Sequence, residues 1–300
     1  MINGPLKIMA LLAVLLASLT LHAAPDVRIL AIADIQYADK DAHGTRFYRS
    51  GIKKLEQIRI ETQREPLDFL IHLGDLVDGG HRNVQAPLSE LERFPLKKYY
   101  VMGNHDFADT EENVEKTRKA LGLKSPSYYF FDRGNWRFVA ADSNTLGAYF
   151  KPKQEPLKSE AAAAMKAAID AKASYAKSWN GGIDKAQFAW LRSLLERSET
   201  EGKRVVIFAH TPARPLGPHI AINTEEIVSF LAKHPCVKAY INGHNHRGGY
   251  EEVGGVHYLT VSGLVETADI ASYAILELYP DRIEVLGHGN TPTRRLALKP

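Results

Sequence analysis

Leu67 to Gly79 reads LDFLIHLGDLVDG: five apolar side chains in seven residues run into Gly74-Asp75, and Asp78-Gly79 follows at once. A short apolar run closed by glycine is the pattern of a strand covered on both faces, and its polar residues fall just beyond the carboxyl end. The same arrangement returns on either side of it. Val27–Ile35 (VRILAIADI) carries Asp34 at its end, with Gln36 next; Lys98–Met102 (KYYVM) leads into Gly103-Asn104-His105-Asp106. Arg204–Ala209 is followed by His210, and Val237–Ile241 by Gly243-His244-Asn245-His246.

Helical patterns separate these strands. One runs from Arg46 to about Arg64 on Ile52, Leu55, Ile58 and Ile60. A second is capped by Asp184, carries Phe188, Trp190, Leu191, Leu194 and Leu195, and ends near Gly202; a third spans about Thr224 to Lys233. Alternating strand and helix predicts an α/β fold with a largely parallel sheet, and in such sheets ligands collect where the strands end. Ser127–Phe131 and Trp136–Ala141, joined by Asp132-Arg133-Gly134-Asn135, read as a hairpin, and Tyr250–Leu286 as further hairpin-like strands. Pro156 opens an Ala-rich helix from Leu157 to about Lys177. Its lack of apolar bulk marks the surroundings, about 151–180, as a surface insertion or a lid.

Composition narrows the chemistry. With 45% hydrophobic and 24% charged residues in 300, the chain is neither collagen-like, coiled-coil nor disordered. A net charge of +3 gives no reason to expect nucleic acid as a partner. Cys236 is the single cysteine, so no intrachain disulfide forms and no thiolate cluster can hold a metal. Any metal must sit on oxygen and imidazole. Lys7 followed by the 14 apolar-rich residues Ile8–Leu21 and by His22-Ala23-Ala24-Pro25 reads as a signal peptide cut after Ala23. The run is shorter than the roughly 20 residues of a membrane span. The expectation is one exported domain, residues 24–300, periplasmic or secreted, without a stable membrane anchor.

Aspartate, asparagine and glutamine mixed with histidine at strand ends form a ligand set for manganese, iron or zinc; calcium prefers oxygen alone. Two such cations need about eight ligand positions, with one carboxylate shared. Each motif alone is weak, since Asp34-Ile35-Gln36 could be a strand cap and Gly74-Asp75 a turn. The ordered set of D-x-Q, G-D-x-x-D-G, G-N-H-D, His-Thr-Pro and G-H-x-H is far harder to obtain by chance.

On these five motifs the sequence resembles the calcineurin-like metallophosphoesterases, across nearly the whole of residues 24–300. The resemblance implies a four-layer αββα sandwich with a dinuclear metal centre. More narrowly, Ala33–Asp39, Gly44-Thr45-Arg46, Asn180–Ile183, Gly248-Gly249-Tyr250 and Val265–Ala268 are similar to the manganese-dependent ADP-ribose/CDP-alcohol diphosphatases, as is Gln36 where most of the superfamily has histidine. The resemblance implies Asp34, Gln36, Asp75 and His246 on one metal, and Asp75, Asn104, His210 and His244 on the other. A hydroxide held between the metals would attack phosphorus, with His105 beside the leaving oxygen and Asp106 orienting its imidazole. The amide of Gln36 favours Mn²⁺ over Zn²⁺, with iron or zinc as substitutes.

The expected substrate is a small nucleoside diphosphate-X compound. Tyr37 is a candidate for stacking on its base, or else a packed core tyrosine. Arg46 and Arg49, at the start of the first helix, are candidate phosphate clamps or else solvated surface arginines. His43, His81, His219, His234, His257 and His288 lack motif context, and His72 is expected to be buried and hydrogen-bonded within its strand. Phosphomonoester or cyclic-nucleotide hydrolysis would use the same centre. A non-catalytic scaffold is disfavoured by the intact ligand set.

Overall fold

The computed structural model describes residues 24–151 and 154–299; the signal-peptide reading of residues 1–23 lies outside the described residues. In chain order, β1 (Val27–Ile32), α1 (Gly51–Thr62), β2 (Phe69–Leu73), α2 (Gln85–Glu92), β3 (Lys97–Val101) and α3 (Glu111–Ala120) come first. β4 (Tyr129–Arg133) and β5 (Trp136–Ala140) form the expected hairpin, before α4 (Leu157–Asp170) and α5 (Lys185–Thr200). Then follow β6 (Arg204–Phe208), α6 (Thr224–Leu231), β7 (Val237–Asn242), β8 (Gly249–Val253), β9 (Val256–Thr260), β10 (Tyr273–Leu278), β11 (Arg282–His288) and β12 (Arg294–Ala297).

These strands make two six-stranded sheets, ordered β12-β11-β10-β1-β2-β3 and β4-β5-β6-β7-β9-β8. β1, β2 and β3 run parallel, as do β5, β6, β7 and β9; the remaining neighbours, β1 with β10 included, pair antiparallel. Strand alternation explains the layers. On β2, Phe69, Ile71 and Leu73 face the second sheet, where Phe138, Phe208 and Ile241 meet them; Leu70 faces away, toward Leu55, Ile58 and Leu91 of the helices. The outer face of the second sheet is covered by Leu191, Leu194 and Leu195 of α5 and Ile227 of α6. The result is the expected αββα sandwich. Each of these large apolar side chains contributes about 1.5–3 kcal/mol on burial.

The helices start where the local chemistry allows. Asp184 accepts from the Gln187 amide 2.8 Å away and caps α5; Thr110 does the same for α3, whose first turn carries Glu111 and Glu112 and whose last carries Arg118 and Lys119. The first helix begins at Gly51, not Arg46, after a short 3₁₀ turn at Tyr48–Ser50, because Arg46 is drawn into a β-bridge with Glu266. The Ala-rich helix ends at Asp170, short of Lys177. Among the described residues no helix is long and apolar enough to cross a membrane.

Candidate metal centre and active site

The candidate ligands meet at the carboxyl ends of the parallel strands, where the two sheets face each other. Loops after β1 and β2 are laced together by Asp34 N–H to Gly74 O (3.1 Å) and Gln36 N–H to Asp75 O (2.8 Å). Asp34, Gln36, Asp75 and His244 all adopt left-handed backbone, with φ of 51°, 42°, 57° and 67°. Non-glycine residues rarely do so, and the turn is what swings these short side chains inward. Two glycines make the crowding possible. A Cβ on Gly103 would sit 2.1 Å from Asp75 Oδ1, and one on Gly243 would sit 2.6 Å from Asp34 Oδ2.

The three histidines show how the centre is wired. His210 Nδ1 lies 2.9 Å from the Leu73 carbonyl, which can only accept, so Nδ1 donates outward and Nε2 is the nitrogen turned to the centre. His244 Nε2 lies 2.8 Å from Asn180 Oδ1. The orientation of that amide is fixed because Asn180 Nδ2 donates to the carbonyls of Tyr175 and Pro218, so His244 donates through Nε2 and leaves Nδ1 bare. His246 Nδ1 lies 2.7 Å from Glu266 Oε1, so Nδ1 donates outward and Nε2 faces inward. All three imidazoles thus turn their second nitrogen to one place, as metal-ligating histidines do when an acceptor holds the other nitrogen.

Those inner nitrogens converge on oxygen donors. His210 Nε2 is 3.0 Å from Asn104 Oδ1 and 3.4 Å from Asp75 Oδ1; His246 Nε2 is 3.6 Å from Asp34 Oδ1. Donor atoms of Asp75, His210 and His244 all lie within 4.8 Å of one another, and the three residues are buried. His244 Nδ1 and His210 Nε2 are 3.2 Å apart, so a proton or a cation must lie between them. Gln36 Oε1 is buried without a partner, while its Nε2 donates to Asp75 Oδ2 and faces His246 Nε2; a half-turn of the amide brings the orphan oxygen inward. The donors fit divalent cations.

Electrostatics says the same. Burial opposes ionisation of Asp75, but His210 and His105 outweigh it and hold the carboxyl well below its usual range. Burial likewise opposes charge on His210, yet Asp75 and Asp34 raise it to about 9. His244 is driven far down by burial and by His210. The buried cluster favours positive charge at its centre.

Around the centre lies a cleft of about 1290 Å³ whose lining includes His105, Arg46, Tyr149, Trp179, His219 and Arg247. His105 projects into it, but its partner is Asp78 (Nδ1 to Oδ2, 3.5 Å), not Asp106. The Asp106 carboxylate is turned under the site, accepting the amides of Asp75 (3.0 Å), Val77 (3.2 Å) and Gly103 (2.9 Å). Burial and Asp75 push it up to about 7 despite those donors. Its place is to hold the β2 and β3 loops together.

Two substrate candidates also move. Tyr37 bridges to Val77 and packs, partly buried, against the helix-side core of the first sheet. Arg49 turns to Asp39 and Asp41, each at 2.7 Å, on the exposed surface. Of these three candidates, Arg46 lines the cleft. His72 is buried as expected, but neither of its ring nitrogens has a hydrogen-bond partner, and burial drives it down to about 3. Asn180, Glu266 and Asp78 were missed as functional groups, although the first two lie in quoted motifs and Asp78 in the opening stretch. His219, left unassigned, stands beside the cluster, its ring 5.8 Å from that of His244.

Comparison with known proteins agrees with this geometry. Residues 27–248 match the family described as calcineurin-like phosphoesterase. Manganese-dependent ADP-ribose/CDP-alcohol diphosphatase of Bos taurus is 29% identical over 91% of this chain and 96% of its own; that of Xenopus laevis is 26% identical over 88% of each. The crystal structure of a dimetal phosphatase from Danio rerio superimposes with a TM-score of 0.82 at 25% identity, covering 92% of this chain and all of that one.

Proposed function

The chain belongs to the calcineurin-like phosphoesterase family, and from that premise we propose that it hydrolyses the pyrophosphate link of nucleoside diphosphate-X compounds, with two divalent cations, Mn²⁺ preferred. The observation that carries the metal centre is the outward hydrogen bonding of His210, His244 and His246, which turns three inner ring nitrogens toward the cluster of Asp34, Asp75 and Asn104. The substrate class is supported by relatives named for ADP-ribose and CDP-alcohols that align over most of both chains. The cleft supports it too: about 1290 Å³ exceeds the ~300–1,000 Å³ of ordinary small-molecule pockets and suits a substrate with two halves.

Asp34, Gln36, Asp75 and His246 would hold one cation, and Asp75, Asn104, His210 and His244 the other. Bound there, such cations supply Lewis acidity toward phosphoryl oxygens and lower the pKa of water. The protein does the rest. In hydrolysis the bond from water oxygen to phosphorus forms, the bridging P–O bond breaks, and the departing phosphate needs a proton or a compensating charge. His105 is placed to give it. Burial works against its charged form, but Asp75 and Asp78 outweigh that and raise it above the ordinary imidazole value, which favours its role as an acid. Arg46 and Arg247 at the rim suit the second phosphate, and Tyr149 and Trp179 offer faces for a base. As an organisation we propose one catalytic domain over 24–300, with 151–180 inserted in it and residues 1–23 serving export.

The test is to assay ADP-ribose, CDP-choline, 2′,3′-cAMP and p-nitrophenyl phosphate side by side with Mn²⁺. The first two should be cleaved fastest, giving AMP with ribose phosphate and CMP with phosphocholine. Equal turnover of all four would remove the diphosphatase assignment; cleavage of the monoester or the cyclic diester alone would replace it.

A further inference from the structure

Lys54 is a sequence anomaly. It lies on the buried face of α1 with Leu55 and Ile58, and only 1% of it is exposed, whereas lysine is almost never fully buried unless paired. Among the described residues no carboxylate forms an ion pair with it. Its three ammonium protons go instead to three backbone carbonyls, those of Leu264, Glu266 (3.1 Å) and Thr267 (3.1 Å). Burial pushes Lys54 down to about 8 against the pull of Glu266 and Asp269, so the ammonium is still the main form at neutral pH.

The segment it grips is unusual in two ways. Thr267, a β-branched residue, has a φ of 63°, a conformation that persists only where its surroundings over-determine it. The segment also packs against His246. A Cβ on Gly263 would lie 2.9 Å from the His246 ring, Gly263 N–H donates to His246 O (3.0 Å), and Glu266 Oε1 is the partner of His246 Nδ1 at 2.7 Å. Thr267 N–H to Thr45 O (3.1 Å) and the Arg46–Glu266 bridge then tie the segment to the cleft wall.

We propose that Lys54 is a positioning residue that sets the metal affinity of His246 by pinning the backbone of residues 264–267, so that Glu266 holds the imidazole with Nε2 aimed at the centre. The inference rests on the dinuclear reading given above. Lys54 touches neither substrate nor cation; it acts through Glu266.

The experiment is Mn²⁺ titration by calorimetry and electron paramagnetic resonance on the full chain and on Lys54→Met, Glu266→Gln and the double variant, with folding checked by circular dichroism. Wild type should bind two ions. Each single variant should weaken one of them by about 10–100-fold, the range for losing a group that orients a metal-bound histidine. The double variant should be no weaker than the weaker single, because both changes break one chain of contacts. Additive losses would show that Lys54 acts elsewhere, and an unchanged affinity in Lys54→Met would overturn the inference while leaving the dinuclear reading intact. Failure of wild type to bind two ions would overturn both. If Lys54→Met does not fold, Lys54→Gln, whose amide still donates two hydrogen bonds, takes its place, and it too must weaken one site.

Discussion

The two sheets bring different chemistry to their shared rim. The first supplies oxygen: Asp34, Gln36, Asp75 and Asn104 follow β1, β2 and β3. The second supplies nitrogen, with His210 after β6 and His244 and His246 after β7. They are aimed by different means. Among the described residues seven non-glycine positions have left-handed backbone, and three of them are Asp34, Gln36 and Asp75 of the oxygen side. Short side chains cannot reach far, so the main chain must do the aiming, at about 1–3 kcal/mol per residue. Imidazoles reach further but have two nitrogens, so each is aimed by an acceptor behind it: Leu73 O, Asn180 Oδ1 and Glu266 Oε1. His244 uses both devices. Backbone strain therefore guards one half of the centre and tautomer choice the other.

The largest effect should come where the halves join. Asp75→Ala removes the carboxylate placed between them, and turnover should drop by at least about 10³-fold with loss of Mn²⁺ stoichiometry, while circular dichroism stays native. Retained hydrolysis would mean that the halves do not share Asp75. Next, Gly103→Ala forces a methyl against Asp75 in the strain-aimed half and should cost about 1–3 kcal/mol in denaturant unfolding, with lower activity. An unchanged midpoint would show that the oxygen side yields more easily than its backbone suggests.

Gln36→His makes the oxygen side resemble the nitrogen side. The ratio of Zn²⁺-supported to Mn²⁺-supported activity should rise by about tenfold in reconstituted protein. A fixed ratio would mean that donor softness does not choose the metal. The smallest effect belongs to Cys236, on the outer face of the second sheet, where burial pushes the thiol up to about 12. Below that pH it stays a thiol, so Ellman's reagent at mildly alkaline pH should leave native protein unmodified and fully active, yet find one thiol in concentrated guanidinium. Rapid native labelling would mark the imidazole half as the looser one.

What was readable in the sequence followed the same division. Strands β1, β2, β6 and β7 and the ligands after them could be read because apolar runs end abruptly in polar residues. Partners that act from behind could not. Asn180 and Glu266 come from loops whose meeting with His244 and His246 depends on how the chain closes up. Asp106 was misread because adjacency to His105 suggested contact, whereas the 3₁₀ turn at His105–Phe107 sends the two side chains apart and leaves Asp78, 27 positions earlier, facing the imidazole. α3 escaped because only Val114 and Thr117 of its ten residues are buried, and β12 because it is four residues with two arginines.

The seam between the sheets is otherwise closed chiefly by apolar contact, from Phe69, Phe138 and Phe208 among others. Donors from both sides meet at one end of it, so cations bound there act as rivets as well as reagents. Mass action makes the two roles one quantity: free cation at a hundred times its dissociation constant adds about 2.7 kcal/mol to the folded state. Chelation and warming then become two routes to the same parting of the layers.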